Sequence, residues 1–485
     1  MIRMTVGLAP TETPSEGAVL PPPVLSAASA LALICAAQFV LQLDFTIVNV
    51  ALPTIQGQLH FTAAHLQWIV SGYALTFGSL LLLGGRAGDL IGHRRLLLVG
   101  LTLFGASSLG AGLSLSSAIL IASRFVQGAS AALVAPSGLA LLTALYNEGP
   151  PRTRALGMFQ GATAAGAMAG LVLGGLLTEY IGWRAIFLVN PPIVVVLSML
   201  AVRLLPDDTR GEHSRLDVAG AALATASVAA LIFGMSEGQQ GFTTPLVVAT
   251  LVLAVVLAGA FVAVERRVAA PMLPLGLFAD RARRAALLVA LVMGAVLAGY
   301  LYFTSLYLQT VLHYSAVLTG VALVPATVTV MVVSMLGVRR LLPRLGVKAM
   351  LLLGLLSMGL GQLCLSRMTA GGSYLVVVLP GVLLTALGVG IGFPTASVAV
   401  TAGIQAAKQG VAGGLYVTAQ QIGIAVGLAI LAAVAAAPAH VAGGSAVAGY
   451  RLSFLVAAAM TAVAAVTVIT ELRSRRREDR PEDDR

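Results

Sequence analysis

Charge is scarce in this chain. Acidic and basic side chains make up 10% of its 485 residues and hydrophobic ones 58%, against about 25% charged in a soluble globular protein, so the composition is that of a membrane protein. Cysteine is scarcer still. Cys35 and Cys364 both fall inside apolar runs and read as small core residues rather than a metal site or a disulfide. Lysine is nearly missing, with only Lys348 and Lys408 among 29 basic residues, a bias without mechanistic content. No G-x-x-x-x-G-K-[ST] loop occurs, which removes a nucleotide-driven engine, and the six histidines show no H-E-x-x-H or other metal spacing. No serine sits in a nucleophile elbow, so a membrane enzyme is a poor alternative, and neither cofactor nor metal is expected. The first 25 residues, with "TETPSEGAVLPPP", lack the apolar centre of a signal peptide and read as a disordered cytoplasmic tail.

What the chain does have is long apolar segments, near 26–52, 66–84, 96–113, 117–145, 155–178, 184–205, 217–235, 245–264, 285–311, 317–337, 348–366, 374–400, 411–436 and 450–471. Each reaches the roughly 20 residues that a helix needs to cross a bilayer, and none alternates with the period of a strand. With the N-terminus inside, the cytoplasmic segments hold 25 Arg and Lys, and the outer ones hold three, Arg184, Arg367 and Arg451. A miscounted helix would invert every later loop and spoil that asymmetry. The net charge of +10 therefore reports topology rather than nucleic-acid binding, because the bases sit between apolar runs. The expectation is an all-α integral membrane protein with fourteen transmembrane helices, multi-pass in the cell membrane, both termini cytoplasmic.

The chain also divides into two six-helix halves, 26–205 and 285–471. An extra pair of helices lies between them at 206–284, and a charged tail follows at 472–485. After the second span comes "GGRAGDLIGHRR"; at the matching place after the tenth comes "GVRRLLPRLGVKAM". Each has a glycine, a short turn, a second glycine and bases, an internal echo of the kind transporter repeats leave.

Five phrases carry a resemblance. "LDFTIVNVALP" in span 1 contains Asp44, Thr46, Asn49 and Pro53; "GRAGDLIGHRR" contains Gly85, Asp89, Gly92, Arg94 and Arg95. "RFVQGASAALVAP" in span 4 supplies Arg124, Gln127, Gly128 and Pro136; "GAMAGLVLGG" in span 5 supplies Gly166, Gly170, Gly174 and Gly175; "GWRAIFLVNPPI" opens span 6. In this order the chain resembles the fourteen-helix drug:proton antiporter branch of the major facilitator superfamily along nearly its whole length. It departs from that pattern at Leu90 and His93, where the family carries bases, and at Leu171, where a proline is usual. The resemblance implies a proton-coupled exporter of small molecules that works by alternating access as a monomer in the lipid bilayer.

The residues themselves set the chemistry. Asp44 is the only acid well inside a span and Arg124 the only base. At 1.5 Å per residue they lie about 13 and about 10 Å below the same membrane face, so two lone opposite charges share one depth. Desolvation favours a protonated carboxyl and a nearby arginine favours the ionised one. A change in their separation or hydration would let Asp44 take up a proton on one side and release it on the other. A static pair that locks two helices is the alternative. Asp89 can bond the N–H groups at a helix terminus or pair with arginine, latching one conformation with Gly85, Gly92, Arg94 and Arg95; the alternative is a tight turn with topology-setting bases. Gly166, Gly170 and Gly174 line one face for close helix approach, whether as packing or as part of alternating access. "GVGIGFP" at 388–394 lies in an apolar helix and reads as packing. For cargo, Asn49, Tyr73, Gln127, Tyr300, Tyr302, Tyr307, Gln309, Tyr416, Gln420 and Gln421 offer aromatic faces and hydrogen bonds. Export of a single endogenous metabolite or antibiotic is the runner-up reading, and a non-transporting membrane sensor a third.

Overall fold

A computed structural model describes residues 24–146, 150–205, 218–237, 243–268, 276, 279–404, 406–437 and 445–472. The polar tail before residue 24, the linker at 206–217 and the charged tail after 472 lie outside the described residues. Within them every regular element is helical: α1 Val24–Leu59, α2 Ala63–Leu66, α3 Trp68–Ile91, α4 His93–Gly112, α5 Ser117–Leu145, α6 Pro150–Tyr180, α7 Ala185–Leu188, α8 Asn190–Leu204, α9 Val218–Glu237 and α10 Pro245–Glu265. The second part runs α11 Arg281–Leu306, α12 Ala316–Val332, α13 Val338–Leu365, α14 Leu379–Thr401, α15 Ala406–Ala436 and α16 Ala446–Glu471, with single π turns at Tyr307–Val311, Val333–Gly337 and Tyr374–Val378.

The helices begin where a small polar residue can occupy orphan N–H groups. Ser116 accepts from Ile119, Ser315 from Leu318, Ser445 from Ala448 and Asp280 from Ala282. Prolines lie inside α1, α5, α12, α13 and α14. For Pro53 and Pro394 the carbonyl freed four residues earlier accepts from a neighbouring segment, Asn49 from Ser305 Oγ at 2.7 Å and Gly390 from Ser334 Oγ at 3.0 Å.

Among the described residues, twelve helices are long and apolar enough to cross a membrane. The expected count of fourteen is not reached by that measure, for two local reasons. The second span is broken: Trp68–Leu81 and Leu83–Ile91 meet at 51°. Beyond the bend lies the pair Gly84–Gly85, and Gly84 lets α3 lie directly on the Ala132 carbonyl of α5. The seventh span contains a shorter apolar stretch, Ala222–Met235.

The echo seen in the sequence is also an echo in backbone geometry. Gly92, between α3 and α4, has φ 106°, and Gly346, inside the kinked α13, has φ 75°. Both conformations are left-handed, which glycine adopts without a Cβ penalty.

Helices α1 to α8 pack largely on one another, with α1 against α6, α3 against α5, and α4 against α5 and α8. Likewise α11 packs on α15, α16 and α14, and α13 on α14 and α16. The two groups meet along two seams, α3 with α15 and α6 with α12. Helix α10 packs on α9, which lies over the first seam and touches both α3 and α15. Thr225 on α9 is 3.0 Å from Ser79 on α3, and Glu237 at its end is 3.8 Å from His65.

Among the described residues, three hydrogen bonds between the two groups lie toward the Leu59 end of α1. Ser305 Oγ donates to the Asn49 carbonyl at 2.7 Å, Gln309 Nε2 to that of Val50 at 2.9 Å, and Val317 N–H to the Glu179 carboxylate at 2.9 Å. At the opposite end, Arg94 bonds the Val202 carbonyl, Arg283 the Val400 carbonyl at 3.0 Å, and Lys348 the Ile469 carbonyl at 2.8 Å. Each of these stays within one group.

Candidate functional site

Asp44 projects from the middle of α1 and Arg124 from the first third of α5, and the fold brings them together. Arg124 Nη1 lies 2.6 Å from Asp44 Oδ2, and both side chains are 0% exposed. The guanidinium is used as a fork. Its Nε donates to the Ile69 carbonyl on α3 at 2.8 Å, and Nη1 also reaches Gln127 Oε1 at 3.0 Å, one helical turn along α5. The face of the Tyr73 ring lies 4.5 Å beneath its carbon, which supports a buried cation through the ring quadrupole.

The other carboxylate oxygen, Asp44 Oδ1, accepts from two amides, Asn190 Nδ2 at 2.7 Å and Gln127 Nε2 at 3.2 Å. Ser108 on α4 closes the ring, accepting from Gln127 at 2.7 Å and lying 3.4 Å from Asn190 Nδ2. The buried carboxylate is thus met by three donors, Arg124, Asn190 and Gln127, the first of them charged. Five helices contribute to one charge pair. A pair this deep is weak evidence of stability, yet removing one partner leaves a buried charge that costs about 3–5 kcal/mol.

Sequence reasoning found Asp44, Arg124, Gln127 and Tyr73 and missed Asn190 and Ser108. Gln127 and Tyr73, named as cargo candidates, contact the ion pair in this arrangement. The signal for Asn190 stood in "FLVNPPI". Pro191 and Pro192 occupy the first turn of α8, where the missing N–H costs nothing, so the helix restarts there and Asn190 is fully buried at its head. Ser108 gave no signal, since a serine in an apolar span ordinarily bonds its own helix.

The remaining cargo candidates divide. Asn49 bonds the Phe45 and Thr46 carbonyls at 3.3 and 3.2 Å, and Gln309 bonds Val50 across the seam. The Tyr307 hydroxyl donates to Thr369 at 2.7 Å, that of Tyr416 to Phe393 at 3.0 Å, and Tyr302 packs edge-on against Phe303. Each of these five is engaged with other parts of the protein in this arrangement. Tyr300 is buried with a hydroxyl that has no hydrogen-bond partner. On α15, Gln421 packs against Gly78 of α3, while Gln420 is half-buried, with its carbonyl against Gly294.

The glycines of α6 serve two different contacts. A Cβ at Gly166 would strike the Phe39 carbonyl, one at Gly170 the Thr46 hydroxyl, and one at Gly174 would lie 2.6 Å from the Ile47 carbonyl, all on α1. Thr46 Oγ1 reinforces this contact, reaching the Ala167 carbonyl of α6 at 3.1 Å. Gly175 turns the other way: a Cβ there would lie 2.6 Å from the Ala316 carbonyl of α12, and Gly320 answers against Leu171. Between α3 and α4, Asp89 is exposed and lies 3.1 Å from His93 Nε2, across the Gly92 turn. His93 is one of the three positions at which the sequence departs from the pattern it resembles. Gly85 lies close to Pro136 of α5, and Arg94 and Arg95 are both engaged in contacts.

Residues 34–428 match the profile of the Major Facilitator Superfamily, and the chain belongs to that family of membrane transporters. It is 40% identical over 402 residues to the puromycin resistance protein pur8 of Streptomyces alboniger, covering 82% of this chain and 80% of that one. To the cephamycin export protein CmcT of Amycolatopsis lactamdurans it is 38% identical over 414 residues, covering 83% and 84%. To the lincomycin resistance protein of Streptomyces lincolnensis it is 36% identical over 399 residues, 81% of each chain. The fold is similar to that of the human organic anion transporter MFSD10 (TM-score 0.62, 18% identity, 92% of this chain and 100% of that one). It is similar also to the nucleoside transporter NupG (TM-score 0.65, 12% identity, 92% and 100%).

Proposed function

We propose that this major facilitator superfamily member exports hydrophobic or amphipathic small molecules, antibiotics among them, in exchange for protons by alternating access. The observation that carries the proposal is the fully buried Asp44–Arg124 pair at 2.6 Å in the middle of the first helix group. While Asp44 is ionised the pair is neutral. A proton on Asp44 leaves Arg124 a lone cation, held by the Ile69 carbonyl, Gln127 and the Tyr73 ring. An unpaired buried charge costs about 3–5 kcal/mol, so protonation favours any conformation that hydrates the site. A gradient of ~150 mV releases roughly 3.4 kcal/mol per charge, enough for a few-hundredfold gradient of cargo.

With the N-terminus cytoplasmic in the plasma membrane, the Leu59 end of α1 is extracellular. The bonds from Ser305, Gln309 and Val317 then close the outer side, and the arrangement is inward-facing. Gly85, Asp89, Gly92, Arg94 and Arg95 form the cytoplasmic latch; Asp89 rests on His93 here and takes donors from the other half when the inner side closes. Gly166, Gly170 and Gly174 fix α6 to α1, and Gly175 seats it on α12 at the outer closure. Fourteen crossings result when the bent α3 and the hairpin α9–α10 are both counted. The parity requires it, because a single crossing there would place every later basic loop outside. One chain supplies both walls of the pathway, so a monomer suffices. The relatives named for puromycin, cephamycin or lincomycin favour a second reading, export of one antibiotic or endogenous metabolite by the same mechanism.

The test is purified protein in proteoliposomes with an imposed pH gradient and a panel of amphipathic antibiotics. The wild type is expected to move at least one of them uphill and to alkalinise the compartment that donates protons. Asp44→Asn is expected to insert and bind cargo without uphill transport. Gradient-driven uphill transport by that variant would remove Asp44 as the proton site.

A further inference from the structure

Asn190 carries an unused acceptor. Its Nδ2 donates to Asp44 Oδ1 at 2.7 Å and faces Ser108 Oγ at 3.4 Å, while its Oδ1 is buried and has no hydrogen-bond partner. A buried amide that spends only its donor end is half-satisfied, and such groups call for a physical account. The two ends of a carboxamide are nearly the same size, so half a turn about its last side-chain bond exchanges them with little steric cost.

From this geometry we infer that Asn190 is a two-way positioning residue, which donates to Asp44 when it is a carboxylate and rotates to accept from it when it is a carboxylic acid. The inference rests on the reading of Asp44 as the proton site. The proton balance is simple. Asp44 Oδ1 gains the proton from water admitted to the site, the cluster changes from neutral to one positive charge, and no other bond forms or breaks. After rotation, Asn190 Oδ1 occupies the place of Nδ2, within reach of the new O–H and of the Ser108 hydroxyl. Ser108 accepts from Gln127 and keeps its own proton to donate. Asp44 Oδ2, 2.6 Å from Arg124 Nη1 in this arrangement, is the oxygen that does not take the proton and keeps its lone pairs for that donor. The charged and titratable groups facing Asp44 are Arg124 on α5 and the Tyr73 phenol on α3. Neither can take this role, because a guanidinium only donates and the ring of Tyr73 is committed beneath it. Gln127 cannot rotate as cheaply: its Oε1 accepts from Arg124, and turning it would set an NH2 against a cation.

The test is an infrared difference spectrum of the reconstituted full chain across an acid step, with asparagine carbon-labelled at the side-chain carbonyl. The chain has only three asparagines, Asn49, Asn147 and Asn190, so the labelled band is assignable. A carboxylic C=O band that vanishes in Asp44→Asn is expected, together with a shift of the labelled amide band at the same pH. That amide shift is expected to vanish in Asn190→Leu, and in Asn190→Gln, which keeps an amide but moves it out of the labelled set. Uphill efflux is expected to fall about tenfold or more in Asn190→Leu, with partial rescue by Asn190→Gln. If the carboxylic band appears and the labelled amide band stays still, Asn190 is a one-way donor and the inference is overturned. If no carboxylic band belongs to Asp44, the proton-site reading falls, and the rotation falls with it.

Discussion

Arg124 shows how much one side chain can be asked to do. It bonds the α3 backbone through Nε, the carboxylate and Gln127 through Nη1, and stacks on Tyr73. A lysine carries the same charge as a single point, without the planar fork, so it can serve one of these partners well but not all. Arg124→Lys is expected to cut uphill efflux by at least about tenfold and to lower stability by about 1.5–3 kcal/mol, the worth of a hydrogen bond to a charged group. Thermal unfolding in detergent and efflux in vesicles check the two parts, and wild-type values in both would mean the fork is not used. The charge of Arg124 and Asp44 was legible in the sequence because lone ions in apolar spans stand out. Asn190 was marked only as the head of a helix, by the two prolines after it, and Ser108 was not marked at all, since neutral polar residues are tolerated in spans for many reasons and only a shared partner ties them to the ion pair.

Helix α6 places chemically identical residues in two contacts. Gly170 touches α1 inside one helix group, and Gly175 touches α12 across the seam. Gly170→Ala is expected to destabilise the fold by about 1–3 kcal/mol, as overpacking does, with both transport directions impaired together. Gly175→Ala strains the contact with α12 instead, which in the proposed orientation closes the outer side. It is expected to raise labelling of cysteines placed at Ser305 or Gln309 from the outer side, with a smaller change in unfolding temperature. Equal effects from the two substitutions would contradict the division. The short link of α3 to α4 gives another test at this scale. Asp89→Asn keeps a hydrogen bond to His93 but loses the charge a latch needs. Turnover is expected to fall several-fold with cargo binding nearly unchanged; collapsed binding with intact turnover would rule the latch out.

Across the whole molecule the two halves match in path but not in charge. Sixteen residues beyond Gly92 stands Ser108, and sixteen beyond Gly346 stands Gln362. Ser108 joins the charged cluster, while Gln362 Nε2 donates to Thr385 Oγ1 at 3.0 Å, a neutral pair at the corresponding place. The late span "VAGGLYVTAQQIGIAVGLAIL" holds no acid, nor do the ninth and tenth spans. One deep carboxylate makes one proton per cycle the simplest stoichiometry. Under the proposed antiport, a neutral cargo would be exported by voltage and pH together, and a monovalent cation by pH alone. A dication is opposed by ~2.3 kcal/mol for its extra charge per ~100 mV. Neutral or singly charged amphipaths are expected to be preferred when voltage and pH gradient are set independently in proteoliposomes. Efficient export of a dication against an inside-negative voltage, without extra protons, would refute the charge argument.

The sequence by itself determined the elements that water or lipid would penalise locally. Long apolar runs must be helical in a bilayer because each backbone group needs an internal partner, and the glycines at 92 and 346 mark turns that only their missing Cβ permits. It also exposed Asp44 and Arg124, since charge at that depth has few neutral explanations. Only the tertiary structure decided which of the many neutral polar side chains meet them. Asn190 and Ser108 come from helices far apart in sequence, and their convergence depends on how α4, α5 and α8 lie against α1. It likewise decided that Gly175 faces α12 rather than α1. Those outcomes follow from the relative placement of whole helices, a property that no local pattern of residues encodes.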